Sequence, residues 1–232
     1  MAQTVKRTSP NGSKTFPIVI SIVVLAMVGL VVLTITNKKD EVRSQSKLEV
    51  SETVQVSAVS LNGNLGESSL PSAEAKNEDG SDAASGMLVP QITAQDFSGK
   101  TNTVIPEGKP YVITFLAHWC PHCRKEVPAI VKLHDENKLP ENVDFIAVAT
   151  GTSEQQVNYP PSQWLLEENW PWKKLADDQN GSIAKAFGLT GYPYLIFVNA
   201  DGTVSSRLSG EQDDAVYVAA ANAIARTETT SK

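Results

Sequence analysis

The chain has 232 residues, a formal net charge of −6 and two cysteines. This length allows one domain with accessory segments, or two small domains. The negative charge and the lack of a basic stripe argue against a nucleic-acid-binding protein. Two cysteines cannot form a disulfide-rich secreted scaffold, so a folded core must hold the domain together.

An uncharged, apolar run lies near the N-terminus. Residues 1–14 are polar and basic, and residues 15–37 carry no charge. The apolar centre, from Ile18 to Ile35, would span roughly 27 Å as a helix, which is close to the hydrocarbon thickness of a bilayer. It is longer than the apolar region of a cleaved signal peptide, which is the alternative, and no small-residue cleavage site follows it. We therefore predict an uncleaved transmembrane anchor over 15–37.

The orientation of this anchor rests on its shorter flank. Basic residues lie at both ends of the run, so the positive-inside rule does not decide by count. The short N-terminus has no acidic residue, which favours a cytoplasmic position for residues 1–14. The sequence thus predicts a single-pass protein of the cell membrane whose C-terminal domain is extracytoplasmic.

The segment from 38 to 86 is rich in small polar and charged residues and contains no aromatic residue. So little apolar surface cannot offset the entropy lost on ordering the chain. We therefore predict a flexible linker over 38–86.

From residue 87 onward the composition is that of a folded domain. Predicted strands lie at 91–104 (as a pair), 111–117, 143–149, 194–198 and 203–208, and predicted helices at 124–137, 162–169, 183–187 and 213–225. Strands and helices alternate first, and a hairpin and a final helix follow. This order predicts an α/β domain over 87–232, with a central sheet covered by helices on both faces.

The two cysteines, Cys120 and Cys123, stand between a buried strand and a helix. Two intervening residues in this position are typical of a redox motif. Unpaired N–H groups and the dipole at the start of a helix stabilise an anion such as a thiolate, and the thiolate is the reactive form of cysteine. Pro121 suits the first helical turn, and His122 can place a positive charge beside the sulfur. Pro121 and His122 are therefore the predicted tuning residues.

Each cysteine has a predicted role. Cys120 attacks a disulfide, and Cys123, one turn into the helix, is more buried and resolves the mixed disulfide. Stabilisation of the thiolate raises the reduction potential, so His122 favours an oxidant. The direction also depends on the redox partner that re-oxidises or re-reduces the cysteine pair. The sequence does not identify that partner.

Several ordered motifs connect residues 89–232 to a known family. They are Phe97 with Gly99-Lys100, Gly108-Lys109-Pro110, the run from Phe115 to Pro128, Gly188 to Pro193, and Asn199-Ala200-Asp201-Gly202. In this order they resemble the membrane-anchored TlpA/ResA-like thiol–disulfide oxidoreductases of the thioredoxin fold.

The resemblance implies a thioredoxin-like mixed sheet flanked by helices and a cis-proline at Pro193. The backbone of Tyr192 would pair with an extended substrate strand, and Trp119 would shape the surface around the nucleophile. The implied partners are protein thiols and disulfides and a membrane redox partner. No cofactor is implied beyond the Cys120–Cys123 disulfide, and we expect a monomer.

The sequence departs from the thioredoxin pattern at two places. Thr114 occupies the strand position where thioredoxins carry an acid that deprotonates the second cysteine. Proton transfer at Cys123 must then use water or another acid such as Glu126, or proceed more slowly. The Pro-His dipeptide is the pair found in oxidases of the DsbA type, so scaffold and dipeptide indicate different partners.

Two alternatives remain open. One is a reductase of the cytochrome-c-maturation type on the same scaffold. The other is a Cu(I)- or Zn-handling module that uses His118, Cys120, His122 and Cys123, since thiolate and imidazole suit these metals. Four ligands so close in sequence would need an awkward loop, so we predict no metal site.

Overall fold

A computed structural model describes residues 48–61 and 63–226. The predicted anchor at 15–37 lies outside these residues. Within the described ranges, no helix has both the length and the apolar character needed to cross a membrane.

The described residues form ten strands and four helices. The strands are β1 (Gln55–Ser57), β2 (Ser60–Leu61), β3 (Asn64–Leu65), β4 (Gln91–Gln95), β5 (Thr101–Val104), β6 (Tyr111–Leu116), β7 (Asp144–Ala149), β8 (Lys174–Ala176), β9 (Tyr194–Val198) and β10 (Val204–Ser209). The helices are α1 (Cys123–Asp135), α2 (Pro161–Glu167), α3 (Ser182–Ala186) and α4 (Asp214–Ala225).

The central sheet has five strands in the order β10-β9-β6-β7-β8. β6 is parallel to β7 and β7 to β8, whereas β9 and β10 are antiparallel additions. Every residue of β6 is buried, because this strand lies at the centre of the sheet and is covered on both faces. The predicted thioredoxin-like α/β fold is confirmed. β8 is an additional strand that the sequence analysis missed.

Two apolar cores lie on opposite faces of this sheet. One contains Val127 and Ile130 of α1 with Tyr217 and Ala221 of α4. The other contains Ile183 of α3 and the inner face of a smaller antiparallel sheet, β1-β4-β5. Helices therefore cover both faces, as predicted, and the redox motif lies where β6 passes into α1.

The prediction of a flexible linker over 38–86 is wrong where the structure describes this segment. β1 pairs with β4, with Gln55 opposite Thr93 and Ser57 opposite Gln91. Leu70 is buried in the core of that face. A few apolar anchors and backbone hydrogen bonds to the domain replace the large apolar surface that the composition lacks. The folded domain therefore begins well before residue 87, and we call residues 48–61 and 63–86 the N-terminal strap.

Arg207 of β10 fastens this strap to the sheet. Its guanidinium donates to the carbonyl oxygens of Pro71, at 2.7 Å, and Ser72, at 3.0 Å, and it forms an ion pair with Asp82. The Arg207 side chain is only 2% exposed. Gly188 permits the close approach, since a Cβ there would overlap the carbonyl of Pro71. The strap is thus an integral part of the domain.

Candidate redox site

The redox motif begins in a tight turn after β6. The Cys120 N–H donates to the carbonyl of Ala117 at 3.0 Å, and the Arg124 N–H donates to the carbonyl of Cys120 at 3.1 Å. Regular helix starts at Cys123, one residue before the predicted range of 124–137, so Pro121 lies in the turn before the helix and not in its first turn as predicted. Both cysteines are free thiols; Cys120 is 6% exposed and Cys123 is fully buried. This burial order is the one predicted for an attacking and a resolving cysteine.

The loop before β9 lies against Cys120. The Tyr192–Pro193 peptide bond is cis, as predicted. The Cys120 thiol donates to the carbonyl oxygen of Tyr192, with an Sγ–O distance of 3.9 Å. The rings of Trp119 and Tyr192 meet edge to face, with centroids 5.7 Å apart. The structure therefore gathers Trp119, Tyr192 and Pro193 around Cys120, and their contact with a substrate remains a prediction.

Trp119 is held by the loop that follows β7. Its indole N–H donates to the carbonyl of Gly151 at 2.8 Å. Gly151 has a φ of +61°, and a Cβ added there would lie 2.9 Å from the Tyr192 hydroxyl. Glycine is required at this position because other residues rarely adopt that φ and because a side chain would be too close to the Tyr192 hydroxyl. Trp119, Tyr192 and Gly151 consequently form one packed unit beside the sulfur.

His122 has a partner that the sequence analysis missed. Its Nδ1 lies 2.9 Å from Oε2 of Glu211, and Lys125 Nζ lies 3.4 Å from the same oxygen. The hydrogen bond with His122 is the main reason that the pKa of Glu211 lies below its usual value. The His122 side chain is therefore paired with Glu211, although it is 57% exposed.

Glu126 is the acid nearest along α1 to the resolving cysteine. It follows Cys123 by three residues, so both side chains lie on the same side of the helix. Burial raises the pKa of Cys123 far above its ordinary value and raises the pKa of Glu126 to about 8. No described residue reaches either carboxyl oxygen with ordinary hydrogen-bond geometry, and the nearby Tyr217 hydroxyl only partly offsets the effect of burial. Glu126 is therefore a buried acid that can exchange a proton near neutral pH.

The strand position of the missing thioredoxin acid is also buried. Thr114 is inaccessible to solvent, and its hydroxyl has no hydrogen-bond partner among the described residues. A threonine hydroxyl does not ionise in the accessible pH range, so it cannot act as the base. This leaves Glu126 as the buried carboxyl available to Cys123.

His118 has a different place from the one that the metal alternative requires. It is 1% exposed, its Nδ1 lies 2.7 Å from the carbonyl oxygen of Val157, and its Nε2 accepts the Ser153 N–H at 3.2 Å. Both ring nitrogens are thus already used within the fold. Within residues 48–61 and 63–226, no three His, Cys, Asp or Glu side chains are grouped to hold a metal ion.

These features together define a class of protein. A thioredoxin-like fold carrying a buried cysteine pair at the start of a helix, beside a cis-proline loop, is the architecture of a thiol–disulfide oxidoreductase. The chain belongs to the Redoxin family, whose sequence model matches residues 84–223.

Similar proteins support the same class. The chain is 27% identical to the thiol:disulfide interchange protein DsbE of Pseudomonas fluorescens biotype C, over 47% of this chain and 57% of that protein. It is 29% identical to the thiol-disulfide oxidoreductase ResA of Bacillus thuringiensis subsp. konkukian, over 55% of this chain and 70% of that protein. The predicted resemblance to ResA-like proteins is therefore confirmed.

A solved structure shows the same fold. The thiol:disulfide interchange protein of Chlorobium tepidum TLS superposes with a TM-score of 0.50 at 21% identity. The match covers 60% of this chain and 96% of that one.

Proposed function

We propose that this protein exchanges thiols and disulfides with protein substrates through Cys120 and Cys123. The observation that carries the proposal is the position of the Cys120 sulfur, which lies against the carbonyl of Tyr192 with Cys123 buried behind it. An extended substrate strand could pair with the Tyr192 backbone and bring its own sulfur to Cys120.

The exchange takes place in two steps, and the electrons balance over the two. The Cys120 thiolate attacks one sulfur of a substrate disulfide; the substrate S–S bond breaks, and the other substrate sulfur leaves as a thiolate that takes up a proton. Cys123 then loses its proton, with Glu126 or water as acceptor, and its thiolate attacks the Cys120 sulfur. The second substrate thiol is released and the Cys120–Cys123 disulfide forms. Two electrons have passed to the substrate, and the reverse sequence oxidises a substrate dithiol.

We propose the oxidising direction for the physiological reaction. His122 follows the attacking cysteine by two residues, and its ring is paired with Glu211. Positive charge beside the sulfur stabilises the reduced thiolate form, and a protein whose reduced form is stabilised is a stronger oxidant. The opposite direction, that of a reductase of the cytochrome-c-maturation type, uses the same residues and is the competing outcome.

We further propose an extracytoplasmic location for the domain. The support is the uncharged run at 15–37 with its basic, acid-free N-terminal flank. In this arrangement a membrane redox partner recharges the cysteine pair, and the protein acts as a monomer without a cofactor other than its own disulfide.

Two measurements on the full chain test these proposals. The first is reduction of insulin with dithiothreitol, and oxidation of a reduced model protein by the disulfide form. Both activities should disappear in Cys120→Ser, and persistence of either at the wild-type rate would contradict exchange through Cys120. The second is alkylation of the thiols in intact cells. A mainly disulfide-bonded Cys120–Cys123 pair supports the oxidant, and a mainly reduced pair overturns that direction in favour of the reductase.

A further inference from the structure

The loop between β7 and α2, residues 150–160, forms the wall of the redox site next to Trp119. Gly151, at its beginning, accepts the Trp119 indole N–H and packs against the Tyr192 hydroxyl. Val157 and Tyr159, near its end, are 57% and 37% exposed. A surface loop of this length normally has considerable freedom, so its attachments decide how well the wall is defined.

His118 provides two of these attachments from a single ring. The Val157 carbonyl can only accept a hydrogen bond, so the Nδ1 of His118, at 2.7 Å, must carry the proton. The Ser153 N–H can only donate, so Nε2, at 3.2 Å, must present its lone pair. The surroundings therefore specify one state of the imidazole, the neutral Nδ1–H tautomer.

Two residues near the end of the loop also contact His118. The Asn158 side-chain amide donates to the His118 carbonyl at 3.2 Å, and the Tyr159 ring meets the imidazole edge-on at 6.0 Å. His118 and Trp119 are the two residues immediately before Cys120, and both are bonded to the same loop. A movement of the loop would therefore act directly on the turn that carries the attacking sulfur.

We propose that His118 is a positioning residue that fixes the β7–α2 loop beside Cys120, and that its attachment to Ser153 holds only while the imidazole is neutral. The inference rests on the proposed function, because the fixed loop forms one side of the surface on which a protein substrate would dock. Protonation puts a hydrogen on Nε2, where it opposes the Ser153 N–H, so one of the two attachments is lost.

Burial and the groups around the ring determine the pH at which His118 becomes protonated. Burial is the largest influence and lowers the pKa of His118, the bond to Val157 opposes that effect, and Glu49 of the strap also opposes it. Glu154, on the loop itself, is engaged with the Tyr159 hydroxyl at 3.4 Å. The neutral ring is thus retained at pH 7, and the Ser153 attachment is lost in acid, below the ordinary histidine pKa of about 6.5.

Two measurements on the full wild-type chain test the inference without a substrate. The first is the imidazole ¹⁵N spectrum, which is readable because the chain has three histidines and the other two can be assigned with His122→Ala and His134→Ala. We expect His118 as the Nδ1–H tautomer at pH 7. An Nε2–H tautomer, or the averaged signals of a free imidazole, would overturn the inference. The second is hydrogen exchange of the Ser153 amide, whose protection should fall about fivefold as His118 is protonated. Unchanged protection through that titration would also overturn it.

Substitutions then connect the loop to exchange. His118→Asn can keep a donor to the Val157 carbonyl, and His118→Gln can keep an acceptor for the Ser153 N–H. His118→Ala keeps neither group. We expect His118→Ala to raise KM for insulin about fivefold with a change of less than about twofold in kcat. His118→Gln should keep the Ser153 protection and lose its acid dependence. A fivefold fall of kcat with an unchanged KM would contradict the positioning role.

The outcomes separate this inference from the proposed function. Cys120→Ser should abolish exchange while leaving the His118 tautomer and the Ser153 protection unchanged. If wild-type protein shows no exchange activity, the proposed function fails while the spectra still decide how His118 holds the loop. If His118→Ala does not fold, the wild-type titration remains decisive.

Discussion

The sulfur of Cys120 lies 3.9 Å from the carbonyl oxygen of Tyr192, the residue that precedes the cis-proline Pro193. This contact joins the redox motif to a loop 72 positions further along the chain. The attacking sulfur and the backbone proposed to receive a substrate strand are therefore adjacent. Their relative placement depends on what holds the Tyr192 side chain.

Gly151 sets the position of Tyr192. In Gly151→Ala the new Cβ would lie 2.9 Å from the Tyr192 hydroxyl, so the Tyr192 ring or the backbone at 151 must shift. We expect insulin reduction to fall roughly tenfold or more, because small displacements of reacting groups are costly. Gly99→Ala is the matched control, since Gly99 also has a positive φ, of +84°, but no atom lies within 4 Å of its added Cβ. Both variants should lose about 1–2 kcal/mol of stability in urea, and equal exchange rates in the two would contradict the role of Gly151.

His122 should influence the direction of exchange. In His122→Gly the imidazole two residues after Cys120 is removed, so we expect the thiolate to lose stabilisation and the protein to become more reducing. We expect the reduction potential to fall on the order of 30 mV in a glutathione titration. Lys125→Met serves as the control, because Lys125 bonds the same carboxylate from outside the motif. An unchanged potential in His122→Gly, or an equal fall in both variants, would show that His122 does not tune the pair.

Glu126 should make the stability of the reduced protein fall as the pH rises from about 4.5 to about 8. The carboxyl keeps its proton up to about pH 8 in the folded protein, against an ordinary value of 4.5. The folded state binds more protons between these values, so the stabilisation is complete below pH 4.5 and is lost as the pH rises through 8. The free energy of unfolding should fall by up to about 1.4 kcal/mol per pH unit in this window, and Glu126→Gln should remove that slope.

The same titration should appear in the kinetics. Resolution of a mixed disulfide by Cys123 should accelerate through about pH 8 as Glu126 becomes able to accept a proton. Glu126→Gln should be slower and lack this rise, whereas Glu136→Gln, at the exposed end of the same helix, should behave as wild type. A rise that survives in Glu126→Gln would assign the proton to water instead.

Arg207 should be essential for the stability of the strap. Arg207→Lys keeps the charge but cannot reproduce the bonds to Pro71, Ser72 and Asp82 together. We expect a loss of roughly 2–4 kcal/mol in urea denaturation, because a buried, multiply bonded charge is left partly unpaired. Arg226→Lys, at the exposed end of α4, should change stability by less than about 0.5 kcal/mol. Similar midpoints for both variants would mean that the strap is held by its other contacts.

The sequence was most informative around the cysteines. Continuous apolar runs such as 111–117 and 194–198 predicted the buried strands, because a strand covered on both faces needs apolar residues at every position. The cis-proline at Pro193 followed from the resemblance rather than from the residues alone. The predicted range of 124–137 was close to the observed α1, but Pro121 and His122 lie in a turn whose hydrogen bonds precede the regular helix.

The missed features all depend on contacts distant in sequence. The strap lacks aromatic residues, and its attachment to Arg207 spans 125 positions from Asp82. Glu211, 89 positions from His122, gave no signal of pairing with it. His118 could have been noticed as an imidazole directly before the Trp-Cys pair, but its partners at 153 and 157 become neighbours only once β7 pairs with β6.

Trapping of mixed disulfides tests the central claim most directly. Cys123→Ser removes the resolving thiol, so the full chain should accumulate covalent complexes with protein substrates through Cys120, visible on a non-reducing gel and released by dithiothreitol. Cys120→Ser should trap none, because the remaining thiol of Cys123 is fully buried. The reverse pattern, or equal trapping by both variants, would contradict the assignment of Cys120 as the attacking cysteine.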